Sequence, residues 1–299
     1  MKKSVSMLLA ALMLTGALAG CGSSASTSDS QAADGADSGV SGAITVISRE
    51  DGSGTRGAFI ELTGVEEKTA DGKKVDNTTA DAEIANKTDV VLTSVAGNEK
   101  AIGYISLGAL NDTVKAVKVD GAEATVDNVK AGAYKLSRPF NIATKGEPTG
   151  VAKDFINFIL SKEGQAVVTD NKYIAVNDAA ESFVSDGSSG QIAVGGSSSV
   201  SPVMEKLIEA YKSVNPNASI DLQTSDSTSG MTGAMDGTFA IGMASRELKE
   251  EEAAQLTGTA IALDGIAVIV NPANTIDELS MDQIKSIYVG DITDWGDLA

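Results

Sequence analysis

The chain has 299 residues with 42% hydrophobic content, enough for one large or two medium domains with a full core and too much for wholesale disorder. Its 41 acidic against 23 basic residues give a formal charge of −18, which argues against nucleic acid or an anionic membrane surface as the main partner. Histidine is absent and there is one cysteine, so a Ser-His-Asp or Cys-His nucleophile, a His-ligated metal and an internal disulfide are excluded.

Residues 1–20 carry Lys2 and Lys3, an apolar stretch from Met7 to Leu14, and small residues before Cys21. This is the pattern of a secretory signal, too short to span a membrane comfortably. The tetrapeptide Leu18-Ala19-Gly20-Cys21 resembles the lipobox of bacterial lipoproteins, which implies cleavage before Cys21 and a lipid on its thiol. Residues 22–41 are almost all Ser, Ala, Gly, Asp and Thr, with Val40 the one sizeable apolar group, so 21–41 is expected to be a lipidated cysteine on a flexible tether.

A β-branched run, Ile44 to Ile47, leads into Ser48-Arg49-Glu50-Asp51-Gly52-Ser53-Gly54-Thr55, and the helically spaced Phe59, Ile60 and Leu62 leave it. Strand, glycine-rich turn and helix start make an anion-binding geometry. First-turn amides lack intrahelical partners, Ser53 and Thr55 add hydroxyls, and Arg49 adds a fixed cation.

Residues 64–82 are polar and read as a loop or hairpin. Val90-Val91-Leu92 and Ala101 to Ile105 read as buried strands or strand–helix junctions, and Val114 to Val119 and Ala122 to Val129 as short strands or a helix on a sheet face. Val151, Phe155, Phe158 and Ile159 predict an amphipathic helix, broken by Ser161 to Gly164, with a second helix at about 165–168. Residues 180–191 resemble a junction. After it, Ile192 to Pro202 repeats the strand and Gly/Ser turn, and Val203, Met204, Leu207, Ile208 and Tyr211 give the next helix one apolar face.

Ser225-Asp226-Ser227-Thr228-Ser229-Gly230 precedes a helix at Met231 to Met235, and Ile241 to Ala244 is a short apolar run ending in Ser245-Arg246. One such cluster is an ordinary turn or helix cap. Four of them, two with an arginine, point to a converging site for a small oxyanion. A buried strand at Ile266 to Val270, a helix at Met281 to Tyr288, and Trp295 as core or rim packing complete the chain.

The segments Ser48 to Thr55, Gly196 to Pro202, Gly242 to Arg246 and Ala262 to Val268 resemble the substrate-binding lipoproteins of the bacterial phosphate ABC transporter. The resemblance covers about 43–299. It implies an α/β, two-lobed periplasmic-binding-protein-like (type II) fold with a ligand cleft between lobes. The segment order is that of a circular permutant of the common family pattern, and joining Ala299 to Gly42 would restore it. With inter-lobe crossings at Arg138-Pro139-Phe140 and Val270-Asn271-Pro272, one lobe comprises 42–137 plus 271–299 and the other 138–270, closing on the ligand by a hinge motion.

Carried over by that resemblance, Arg49 pairs with phosphate and Ser53, Gly54 and Thr55 donate to it from one lobe. Ser198, Ser199, Ser227, Thr228, Ser245 and Arg246 face it from the other. The implied partners are inorganic phosphate and the membrane permease subunits, with the membrane reached through the lipid anchor alone, an extracytoplasmic location, no cofactor, no nucleic acid and a monomeric state. Enteric members carry a carboxylate at the place of Arg246 to accept the phosphate proton. Either another acid accepts it here, Asp264 first and Glu247 or Asp51 next, or selectivity is looser than in those relatives; Asp51 more naturally orients Arg49. Other readings are another oxyanion (sulfate, molybdate or phosphonate), a surface adhesin or signalling lipoprotein, and a phosphatase using Ser53 or Ser198, which lacks any general base nearby in sequence.

Overall fold

Two long antiparallel strands run side by side through the middle of a nine-stranded sheet and belong to two different hydrophobic cores. The computed structural model describes residues 40–298, so the expected signal, Cys21 and nearly all of the expected tether lie outside the described residues. The strands are β1 (Thr45–Arg49), β2 (Glu66–Lys68), β3 (Lys74–Asp76), β4 (Glu83–Ala85), β5 (Ala101–Ser106), β6 (Lys115–Ala116), β7 (Lys118–Val119), β8 (Ser137–Thr144), β9 (Gly190–Ser197), β10 (Ala218–Ser225), β11 (Ile241–Ala244), β12 (Thr257–Val270) and β13 (Glu278–Leu279). The helices are α1 (Gly54–Thr63), α2 (Thr88–Ala96), α3 (Val126–Lys130), α4 (Gly150–Leu160), α5 (Lys162–Asp170), α6 (Ser201–Val214), α7 (Ser227–Asp236), α8 (Glu250–Ala253) and α9 (Met281–Val289).

The sheet order is β10-β9-β11-β8-β12-β5-β1-β4, with β6 on β12. At one end β9, β10 and β11 are parallel, and at the other β1, β4 and β5 are parallel. Between them β8 and β12 run antiparallel to each other and to their outer neighbours. One core gathers Val46, Ile47, Phe59, Ile102 and Tyr104 with Ile266 to Val270, Ile284 and Tyr288. The other gathers Phe140, Ile142, Phe155, Phe158, Val194, Met204, Leu207, Tyr211 and Ile261. On β12 the change of core therefore falls between Ala262 and Ile266, around Asp264, earlier than the expected crossing at Val270-Asn271-Pro272.

The apolar spacing decides most elements. Val151, Phe155, Phe158 and Ile159 are the buried face of α4, as the sequence predicts. The expected break after it shrinks to one residue: Ser161 ends α4 and its hydroxyl accepts from the Gly164 amide at 3.2 Å, so α5 starts at once. Residues 64–82 hold the β2–β3 hairpin. Val90-Val91-Leu92 is helix, not strand: it lies in α2, where Val91 and Val95 bury one face four residues apart. Trp295 is buried, its Nε1 donating to the Lys100 carbonyl at 3.0 Å.

The expected junction is a segment without regular structure that is nonetheless pinned down. Asp154 on α4, 1% exposed, accepts from the Ser185 hydroxyl (2.7 Å), the Asp186 amide (2.9 Å), the Tyr211 hydroxyl (2.7 Å) and the Asn215 amide nitrogen (3.1 Å). Glu163 accepts from the Phe183 amide at 2.7 Å, and Phe183 packs edge-on against Phe158.

Candidate functional site

Five strands end at the same place. β1 ends at Arg49 and hands over to α1; β4 leads to Thr88 at the start of α2; β9 ends at Ser197 and turns into α6; β10 ends before Ser227 at the start of α7; β11 ends before Ser245. Ligands of open α/β sheets bind outside the carboxyl ends of their strands, where helix N-termini present unpaired amides.

Arg49 is held from behind and aimed forward. Its Nε and Nη2 each donate to the Glu50 carboxylate at 2.8 Å, and Nε also donates to the Ala85 carbonyl at 3.2 Å. Nη2 also reaches the Ser198 hydroxyl at 3.1 Å, across from the other core, and Nη1 lies 3.5 Å from the Thr88 hydroxyl. The end of β1 is fixed as well: the Tyr104 hydroxyl bonds Ser48 Oγ at 2.9 Å and accepts from the Arg49 amide at 3.1 Å, while its ring stacks on Phe59 at 3.9 Å between centroids. Burial pushes the Tyr104 phenol up to about 12, so it stays neutral.

Around Arg49 the hydroxyls converge. Thr55 Oγ1 lies 2.8 Å from Ser199 Oγ and 3.3 Å from Ser245 Oγ. Thr88 Oγ1 lies 3.4 Å from Ser198 Oγ and 3.3 Å from Ser199 Oγ. Ser197 donates to the Ser245 hydroxyl at 2.9 Å, and the Ser245 amide donates to Ser227 Oγ at 3.1 Å. Gly54 sits in the middle: a Cβ there would stand 2.3 Å from Ser227 Oγ and 2.8 Å from Ser245 Oγ. A second close approach needs Gly196, whose φ of +138° and 2.3 Å virtual contact with the Met243 carbonyl leave room for no side chain.

A second guanidinium enters from the crossing strand. Arg138 on β8, 3% exposed, donates through Nη2 to Thr55 Oγ1 at 3.1 Å and through Nε to the Ser245 carbonyl at 3.2 Å. Its Nη1 bonds the Asp264 carboxylate and the Gly265 carbonyl. Burial pushes the Asp264 carboxyl up, and the Arg138 charge offsets this in part.

The expected site residues divide into two groups. Arg49, Gly54, Thr55, Ser198, Ser199, Ser227 and Ser245 come together. Ser53 instead caps α1, accepting from the Arg56 amide at 3.3 Å. Arg246 is engaged by Glu252, both terminal nitrogens on its carboxylate at 2.7 and 2.8 Å, with Nη2 also 3.3 Å from Thr228 Oγ1, and Thr228 donates to the Gly52 carbonyl at 3.3 Å. Against the cost of burial, the Arg246 guanidinium and the Lys249 amide hold Glu252 below its ordinary pKa. Asp51 does not orient Arg49, because it is exposed and pairs with Arg56 at 3.0 Å; the orienting carboxylate is Glu50. Glu247 contacts Asn141 at 3.4 Å.

Three contributors escape the sequence reading. Ser197 stands inside a quoted segment, and Thr88 opens a helix directly after a strand, so both carried a signal. Arg138 carried none, since its carboxylate lies 126 residues away in the chain. Among the described residues the clustered hydroxyls bond only to hydroxyls, amides and guanidinium groups, an arrangement rich in hydrogen-bond donors.

Residues 24–163 and 182–299 match a family described as a PBP superfamily domain. The phosphate-binding protein PstS 2 of Streptococcus agalactiae is 49% identical over 300 residues, covering 99% of this chain and 98% of the relative. That of Streptococcus pneumoniae is 48% identical over 296 residues, covering 99% of both chains. The crystal structure of a phosphate ABC transporter phosphate-binding protein from Streptococcus pneumoniae superposes with a TM-score of 0.69 at 50% identity, over 86% of this chain and 100% of that one.

Proposed function

Because the chain belongs to the PBP superfamily, among the PstS phosphate-binding proteins, we propose that it captures inorganic phosphate between two lobes outside the cytoplasm and delivers it to the permease of an ABC transporter. The lobes are built on the two cores, with β8 and β12 passing between them. The observation that carries the reading is Arg49: a buried guanidinium from one core, held by Glu50, whose Nη2 also meets Ser198 of the other, inside a cluster of hydroxyls and helix-start amides. Charge-assisted bonds of this kind contribute about 1.5–3 kcal/mol each, so local donors outweigh the distant, salt-screened acidity of the chain. Cys21, with its lipid, is the proposed attachment to the membrane.

The test is calorimetric titration of the folded body, stripped of bound anion, with phosphate and with sulfate on either side of the second ionisation of phosphate. Tight phosphate binding supports the reading; heat from neither anion overturns it. A second reading has a specific observation in its favour. Among the described residues, Glu50, Glu252 and Asp264 are each paired with an arginine, and Asp226, just before Ser227, is occupied in capping α7 by accepting from the Ser229 amide and hydroxyl. With no free carboxylate to accept a proton from the anion, sulfate is expected to compete measurably, and silence toward sulfate would show that a hydroxyl does the accepting.

Gly54→Ala tests closure. The added methyl meets Ser227 and Ser245 of the opposite side, so phosphate affinity should fall about tenfold or more, and because the overlap exists without the anion the melting temperature should fall as well. Unchanged affinity would mean that the two sides do not meet at Gly54 in the bound state.

A further inference from the structure

We propose that Arg138 and Asp264 form a positioning pair that commits the Thr55 hydroxyl to donating toward the bound anion, and so act on affinity through Thr55. The pair sits where β12 and β8 change cores, and Asp264 and Arg138 are directly opposed in the antiparallel register. Arg138 touches both sides and the strand between them: Thr55 on the first core's helix α1, the Ser245 carbonyl on the second core's side, and the Asp264 and Gly265 positions of the crossing strand.

The direction of the Thr55 bond follows from donor chemistry. A guanidinium has donors and no acceptor, so Thr55 Oγ1 must accept from Arg138 Nη2. A threonine hydroxyl has one proton, and with Arg138 occupying an acceptor position that proton turns to the remaining neighbours. In the structure these are Ser199 Oγ and Ser245 Oγ, the direction in which the hydroxyls converge. Without Arg138 the same hydroxyl is free to rotate and to spend its proton elsewhere.

Asp264 keeps Arg138 from leaving this post. Its Oδ2 holds Nη1, its Oδ1 lies 3.4 Å from the Gly108 amide, and it is itself 1% exposed. The guanidinium also lies over the Phe140 ring, 5.0 Å from its centroid. A lysine has no fork with which to reach Thr55, Ser245 and Asp264 together.

This inference rests on the phosphate reading, and the experiment separates the two. Phosphate dissociation constants and melting temperatures are measured for the wild type, Arg138→Lys, Thr55→Val and the double variant. Wild-type protein that binds no phosphate sinks the functional reading itself. Given wild-type binding, Arg138→Lys should weaken phosphate about tenfold despite keeping the charge, and the weakening should vanish in the Thr55→Val background. The melting shift caused by Arg138→Lys should persist in both backgrounds. Losses that multiply, or an Arg138→Lys protein that binds as well as wild type, overturn the proposal. Should Arg138→Lys not fold, Asp264→Asn takes its place: a change in affinity that disappears with Thr55→Val supports the pair, and no change or a multiplying change overturns it.

Discussion

Replacing Arg49 with alanine is expected to weaken phosphate binding at least about a hundredfold, because the anion loses a guanidinium that reaches Ser198 and Thr88 in the hydroxyl cluster, and with it two charge-assisted bonds of about 1.5 kcal/mol or more. A second effect adds to the first. Glu50, released from its two 2.8 Å bonds, leaves an unpaired carboxylate beside the anion. Arg49→Ala combined with Glu50→Gln should therefore recover part of the loss. The single variant should also melt somewhat lower, since the Ala85 carbonyl loses a donor. Calorimetric titration decides the matter, and wild-type affinity in Arg49→Ala would move the site away from this cluster.

Asp154→Ala carries the largest expected cost in stability, about 3 kcal/mol. Four donors converge on one buried carboxylate, and removing it leaves the Tyr211 hydroxyl, the Ser185 hydroxyl and the Asp186 amide without an acceptor, while the Asn215 amide keeps only the Ser188 carbonyl and the Tyr211 hydroxyl. Burial works against the charge, but these bonds outweigh it and hold the carboxyl below its ordinary value. A depressed folded-state pKa stabilises the fold above the unfolded value of 3.8 and is lost as pH falls through the folded value. Denaturant melts of wild type and Asp154→Asn should thus differ at neutral pH and converge in acid. Parallel curves at every pH would show that the charge contributes nothing.

What the sequence revealed was local. Ile44 to Thr55 and Ile192 to Pro202 read correctly because strand, turn and helix start follow one another within a dozen residues, each with its own signal. Direction and distance were harder. Glu50 and Asp51 are neighbours with the same charge, and only the course of the chain after β1 tells which one meets Arg49. Arg246 looked like a donor to the anion, although Glu252 six residues on marks where it turns. Val90-Val91-Leu92 read as a buried strand or a strand–helix junction, and burial at Val91 and Val95, four residues apart, selects the helix. The pairing of Arg138 with Asp264 depends on the register of two strands from distant parts of the chain, which no window of residues contains.

The eight-position ladder between β8 and β12, with its irregularity between Ala260 and Ala262, sets how the molecule can deform. Two bodies on separate strings swivel freely, whereas two bodies on a hydrogen-bonded ribbon turn only by winding or unwinding it. The ribbon is a torsion spring, its rest angle written into residues such as Ala260 to Ala262 that never meet the anion. On the proposed two-lobe reading, affinity has two controls: the donors that grip, and the stiffness of the ribbon that presents them.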